Sequence, residues 1–236
     1  DGLKVVSLEC FKTPGKDKDE IDETVFFQEL FKIVSLDKLK SSRVGISISP
    51  FSFNFSIFDL IKLPRSELDS VVLREARRKI IPNPSEQDIT KYLVLKQTKH
   101  AGKANLTIIA GSAKKEVINK YFFLFQSQGI QLEFISSTPL NSFAYFKEYF
   151  PQKAENWVIV DVGSKSTTIT AFLADNLVLI RDIAFGASDF IRAIAKNSSL
   201  NHEQASEVFL ESDSSNEAVL ESWNYLLAEI RRSFAF

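Results

Sequence analysis

Sulfur and imidazole are scarce in this chain: 236 residues hold one Cys, two His and no Met. A lone Cys10 cannot close an internal disulfide, so nothing here calls for an oxidising compartment, and a reducing cytoplasm is the expectation. His100 and His202 stand far apart with no Cys or Asp at ligand spacing, so both read as structural or incidental, and no metal centre or Cys–His dyad follows from them. Charge of one sign is missing too. With 29 Lys and Arg against 30 Asp and Glu, the formal net charge is −1, and no polybasic tract supplies a general footprint for nucleic acid or an anionic membrane. No apolar run approaches the ~18–20 residues of a spanning helix. The chain opens on Asp1-Gly2 without an apolar signal region, and the missing initiator leads us to expect a chain cut at its start.

What is present is apolar mass, 44% hydrophobic residues with 21 Phe, enough for one or two domains with ample core. Residues 3–11 read as a strand and 12–23 as an exposed, charged loop. Over 24–39, Phe26, Leu30, Ile33 and Val34 fall on one helical stripe. Residues 43–61 read as two extended segments joined near Pro50. Ser66 and Asp69 have capping-box spacing for a helix in which Leu68, Val72, Ala76 and Ile80 recur every four residues before Pro82. Strands are expected at 89–96 and 105–111, then a helix from a Ser112 cap to Gln128, with Gly129 as its stop.

A strand at 131–135 leads to Thr138-Pro139, the start of a helix over 140–149. Three buried-type strands at 157–160, 167–173 and 177–185 are joined by loops short enough to make them antiparallel. Helices at 188–196, 201–211 (with Asn201 and Gln204 as a capping pair) and 218–236 complete the pattern. The last carries Trp223, Leu226, Leu227, Ile230 and Phe234 on one face and stops within its pattern, so an end cut short is expected there as well.

The densest chemistry lies between Asp161 and Thr168. A carboxylate closing a buried strand, Asp161, can hold the hydration shell of Mg²⁺. Gly163 lets the backbone approach a phosphate, and Ser164, Ser166 and Thr167 offer hydroxyl and amide donors. Lys165 either touches a phosphate or points to solvent. In outline this is a phosphate-binding hairpin, although the same residues also make an ordinary turn. Residues 3–11 echo 168–172 as a strand that would follow such a loop, which suggests duplicated halves.

That combination resembles the two-lobed actin-like ATPases, and one family within them matches in more detail. Leu63-Pro64, Glu75-Ala76 and Ile81-Pro82 resemble the LP…EA…IP segment of the type IV pilus assembly protein PilM family. Pro139-Leu140 with Ala144-Tyr145 resembles its PLALAY helix, Asp161 to Thr168 its phosphate loop, Arg181 to Gly186 its RDIPFG strand end, and Glu229 to Ser233 its EIRRS helix. The resemblance runs in order over about residues 43–236, and it favours this family over the related cell-division protein FtsA. It implies a mixed α/β fold with actin-like (ribonuclease H-like) lobes and a small inserted α/β domain. By that analogy 1–42 and 130–155 belong to the first lobe, 43–129 form the insert, and 156–236 belong to the second lobe.

The same resemblance implies an adaptor of a type IV pilus or related secretion platform in the bacterial cytoplasm, held at the inner membrane through a partner. That partner would be a PilN-like membrane protein whose short cytoplasmic peptide is gripped, alongside other platform proteins. ATP with Mg²⁺ is the implied cofactor, with Asp161, Gly163, Ser164, Lys165, Ser166 and Thr167 as its contacts. Where the family carries Ala-Glu-x-x-Lys against the nucleoside, this chain has Ala205-Ser206-Glu207-Val208-Phe209, so weak or lost ATP binding is the expectation. No general base for an ATPase or kinase is apparent, and an FtsA-like filament anchor is the other alternative. Arg74, Arg77, Arg78 and Lys79 read as the solvated face of a helix, with an acidic partner or lipid head groups as the rival reading. Phe51, Phe53, Phe55 and Phe58 fit either a buried sheet face or an edge that accepts a peptide strand.

Overall fold

The computed structural model describes residues 15–17, 20–49, 52–100, 103–149, 156–174, 176–211 and 217–234. The expected strand at 3–11, Cys10 and Phe51 lie outside them. The class is mixed α/β, as expected, and the chain divides into two compact units, one of 1–47 with 115–136 and the other of 48–114 with 137–236.

In the first unit the expected loop over 12–23 contains a small antiparallel pair, β1 (Gly15–Asp17) and β2 (Glu20–Ile21). The single helix expected over 24–39 is two: α1 (Glu23–Ile33) and α2 (Leu36–Lys40). The break has a local cause, because Ser35 turns extended and its hydroxyl accepts from Lys38 N–H, capping a new helix. β3 (Val44–Ile48) pairs with β7 (Leu132–Ser137), and α4 (Lys115–Gln126) lies between them in sequence. Phe27, Leu124, Phe125, Ile130 and Leu132 form the core. Gly129, at φ +70°, stops α4 in the left-handed region that glycine enters without steric cost.

In the second unit β4 (Asn54–Ile61), β5 (Ile89–His100) and β6 (Lys103–Ala113) form an antiparallel sheet in the order β4-β6-β5. The hairpin strands run longer than their apolar patterning predicts, since edge strand β5 continues through polar residues that face water. Helix α3 (Arg65–Lys79) lays Val72 and Ala76 on Phe58, Leu106, Ile108 and Ala110. Its expected capping box is absent. Pro64 occupies the N-cap with no side-chain cap, and Asp69 instead accepts the Tyr92 hydroxyl. Ser112 likewise does not start α4, for it is buried within β6 and shares a hydrogen bond with Thr90 at 3.1 Å.

The other face of that sheet, through Phe55, Ile57 and Ile109, shares a core with Phe172, Leu177 and Trp157. Phe55 and Phe58 therefore pack into the two opposite faces of β4, which favours the buried-sheet reading of the phenylalanine alternation. Helix α5 (Thr138–Tyr149) adds Leu140 and Phe143 to this core. The three predicted antiparallel strands are β8 (Trp157–Val162), β9 (Thr167–Leu173) and β10 (Asn176–Ile183), in the order β10-β9-β8. Helices α6 (Ala187–Ser198), α7 (His202–Glu211) and α8 (Glu217–Ser233) cover one face. Asn201 and Gln204 make the reciprocal capping pair, at 2.9 and 3.1 Å. On α8 the buried stripe is Val219, Ser222, Leu226 and Ser233, while Leu227 and Phe234 are a little under half exposed and Trp223, exposed to a similar degree, sets its ring against Phe190.

Candidate functional site

The hairpin between β8 and β9 is closed by Gly163 N–H donating to Ser166 O at 2.8 Å. Asp161 is the last exposed carboxylate of β8, and Ser164 and Lys165 occupy the exposed tip. Behind the tip stands the start of α6. Its first two N–H groups, from Ala187 and Ser188, donate to the Gly163 and Ser164 carbonyls at 2.9 and 2.8 Å, and the Ser164 and Ser188 hydroxyls are 3.0 Å apart. Helix N-termini are anion sites when their donors point at open space. Here those donors are committed to the hairpin.

Gly186 makes this docking possible. A Cβ on it would lie 2.5 Å from Gly163 O, 2.6 Å from Ser166 N and 2.7 Å from Ser164 O, all backbone atoms. Its own N–H donates to the Asp189 carboxylate at 2.9 Å, half of a capping box whose other half glycine has no side chain to supply. Thr167 is fully buried and its hydroxyl donates to Phe185 O at 2.8 Å, so it ties the segment between β10 and α6 to the hairpin.

The strand register sets Asp161, Thr168 and Asp182 side by side on one face of the sheet. Thr168 donates to Asp182 at 2.7 Å. Burial pushes the Asp182 carboxyl above its ordinary range, and the Thr168 hydrogen bond opposes that rise. On the opposite face Arg181 reaches Glu229 of α8 at 3.6 Å, and Arg232 pairs with the same carboxylate. The sequence segments around Arg181 and Glu229 therefore meet through an ion pair.

The candidate residues thus separate. Asp161, Ser164 and Lys165 present polar groups outward, Ser166 and Gly163 close the turn, and Thr167 is internal. Asp161 leaves an exposed carboxylate that a hydrated Mg²⁺ would suit, but the Gly163 N–H and the Ser164 and Thr167 hydroxyls are already hydrogen-bonded within the protein, which leaves few donors for a phosphate. On α7, Ala205 is buried and Phe209 packs on Phe190, ring centroids 5.6 Å apart, so Phe209 belongs to the core. His202 is exposed at the start of α7, and no cluster able to hold a metal ion through three His, Cys, Asp or Glu occurs among the described residues. Nor is any helix among them long and apolar enough to cross a membrane. Sequence reasoning missed the role of Gly186 and the Asp182–Thr168 pair. A glycine directly after an aromatic strand end and before an amphipathic helix was the available signal for the first.

Comparison with known proteins gives the family. No curated protein sequence is similar to this one. The structure of a PilM–PilN type IV pilus biogenesis complex contains a chain that overlaps this one with a TM-score of 0.74 at 20% identity, covering 90% of this chain. This chain spans 64% of that chain's length. At that identity the likeness establishes the fold. A Bacteroides thetaiotaomicron protein described as having an actin-like ATPase fold overlaps more loosely, with a TM-score of 0.39 at 19% identity over 75% of this chain and 63% of its own. The profile of the type IV pilus assembly protein PilM family matches residues 54–236, and the chain belongs to that family.

Proposed function

We propose that this protein is an adaptor of a type IV pilus or related secretion platform that grips the short cytoplasmic peptide of a PilN-like membrane protein. The observation that carries the reading is the overlap with the PilM–PilN structure together with the family match over residues 54–236. In this reading the protein works in the bacterial cytoplasm and is held at the inner membrane through that partner, with other platform proteins around it. Residues 1–42 and 130–155 act as a first actin-like lobe, 43–129 as an inserted domain and 156–236 as a second lobe. The packing of α6, α7 and α8 on one face of β9 and β10 supports the last of these.

Nucleotide is a weak ligand here, and no catalytic residue is assigned. Asp161 would hold Mg²⁺ through its water shell, Lys165 and Ser164 would meet a phosphate, and Gly163, Ser166 and Thr167 would shape the turn. Two observations favour weakness: the first-turn donors of α6 are spent on the hairpin, and Phe209 fills core volume where the family resemblance calls for a lysine. The test is fluorescence anisotropy with a synthetic peptide copied from the cytoplasmic N-terminus of a PilN-like membrane protein. Saturable micromolar binding that a scrambled peptide does not reproduce supports the adaptor. Equal signals from both peptides refute it.

A further inference from the structure

We propose that the C-terminal end of α3 is a contact surface for an anionic lipid bilayer. Arg74, Arg77 and Arg78 fall at i, i+3 and i+4 and form one exposed stripe. Val72, Ala76 and Ile80 bury the opposite stripe on the sheet, so the orientation of the arginines is fixed by the core. Directly beyond the helix, Ile81 is 84% exposed, the most exposed of the large hydrophobic side chains among the described residues. Lys79 flanks the stripe with its ammonium 5.6 Å from the Phe58 ring centroid. Of the three arginines only Arg78 has a carboxylate, Glu75 at 3.3 Å. Arg74 and Arg77 have no ion-pair partner among the described residues. The other carboxylates near in sequence are Glu67 and Asp69, the latter accepting the Tyr92 hydroxyl, and Glu86 and Asp88 in the loop that follows.

The charge is also local. Between residues 48 and 114 there are eleven Lys and Arg against six Asp and Glu, in a chain whose totals are 29 and 30. A cationic patch selects an anionic partner, and guanidinium forks match phosphate oxygens. The exposed isoleucine decides between a bilayer and an acidic protein. At a lipid surface the arginines neutralise head groups while Ile81 reaches the acyl boundary, whereas an acidic peptide would leave Ile81 in water. Three or four cations and one aliphatic side chain give reversible, salt-sensitive contact rather than anchoring. The surface acts without a protein partner and does not depend on the peptide reading.

The test is vesicle flotation of the full chain at low ionic strength. One set of vesicles holds equal parts phosphatidylglycerol and phosphatidylcholine, the other phosphatidylcholine alone. Partition into the anionic vesicles only, falling with added salt, is the expected result. Replacing the three arginines together (Arg74→Gln, Arg77→Gln, Arg78→Gln) should lower it about a hundredfold. Ile81→Ser should lower it roughly tenfold and leave the salt dependence unchanged. All four positions are exposed, so folding is checked independently by circular dichroism. No partition of the wild type, equal partition into neutral vesicles, or variants that bind like wild type would each overturn the proposal. So would Arg-dependent binding of polyglutamate with Ile81→Ser silent, since that would assign the surface to an acidic protein.

Discussion

Gly186 lies against Gly163: the Gly163 carbonyl oxygen would sit 2.5 Å from a Cβ placed on Gly186, and it accepts the very next N–H, that of Ala187, at 2.9 Å. This close approach joins the β8–β9 hairpin to the start of α6. It also removes that helix end from the donors available to a ligand.

Substituting Gly186 by Ala is therefore expected to cost about 2 kcal/mol, because the obstructing atoms are backbone and cannot swing aside. Gly163→Ala meets only Ser166 O, at 3.2 Å, and should cost about 1 kcal/mol or less. Urea unfolding midpoints at constant m-value check the order of the two.

Asp182 makes stability depend on pH in a defined direction. Burial raises its folded-state pKa above the ordinary 3.8, so the folded state binds the proton more tightly. The stabilisation from protonation is complete below the unfolded pKa and is lost as pH rises through the folded one. Asp182→Asn should therefore be at least as stable as wild type at neutral pH, with its relative advantage shrinking below pH 3.8. Thr168→Val removes the hydrogen bond to the carboxylate and should cost about 1–2 kcal/mol at neutral pH. Thermal melts across the pH range measure both.

The Arg181–Glu229 pair ties β10 to α8, with the Glu229 side chain largely buried and Arg181 about one-third exposed. A double-mutant cycle through Arg181→Gln and Glu229→Gln should return a coupling of about 1 kcal/mol, reduced in high salt.

Phe209 can be tested against the family pattern it departs from. Installing the lysine that the resemblance calls for, Phe209→Lys, removes a ring from Phe190 and should cost about 2 kcal/mol. It should restore no nucleotide affinity, since position 209 packs against Phe190 of the core. Calorimetric titration of Mg-ATP into the variant decides the second point.

Much of this architecture was legible because its signals are local and periodic. The antiparallel β8-β9-β10 order follows from short loops, α7 from the Asn201–Gln204 spacing, and the α4 stop from Gly129. The misses have physical reasons of their own. Ser35 breaks a continuous apolar stripe because a serine cap satisfies donors that periodicity ignores. Asp69 looks like half of a capping box, yet Tyr92, distant in sequence, takes it. At the hairpin, residue types announced hydrogen-bond donors and a carboxylate, and those groups are there. That the Thr167 hydroxyl and the α6 donors are consumed internally depends on tertiary docking, which spacing cannot encode.

The most direct test of the adaptor account measures the affinity of the PilN-like peptide for wild type and Asp161→Ala, each with and without Mg-ATP. The account predicts the same affinity within about twofold in all four, a difference under ~0.5 kcal/mol, because the peptide is gripped without nucleotide control. Loss of tenfold or more on Asp161→Ala, or peptide binding only with Mg-ATP present, would contradict it and make the hairpin a working nucleotide switch.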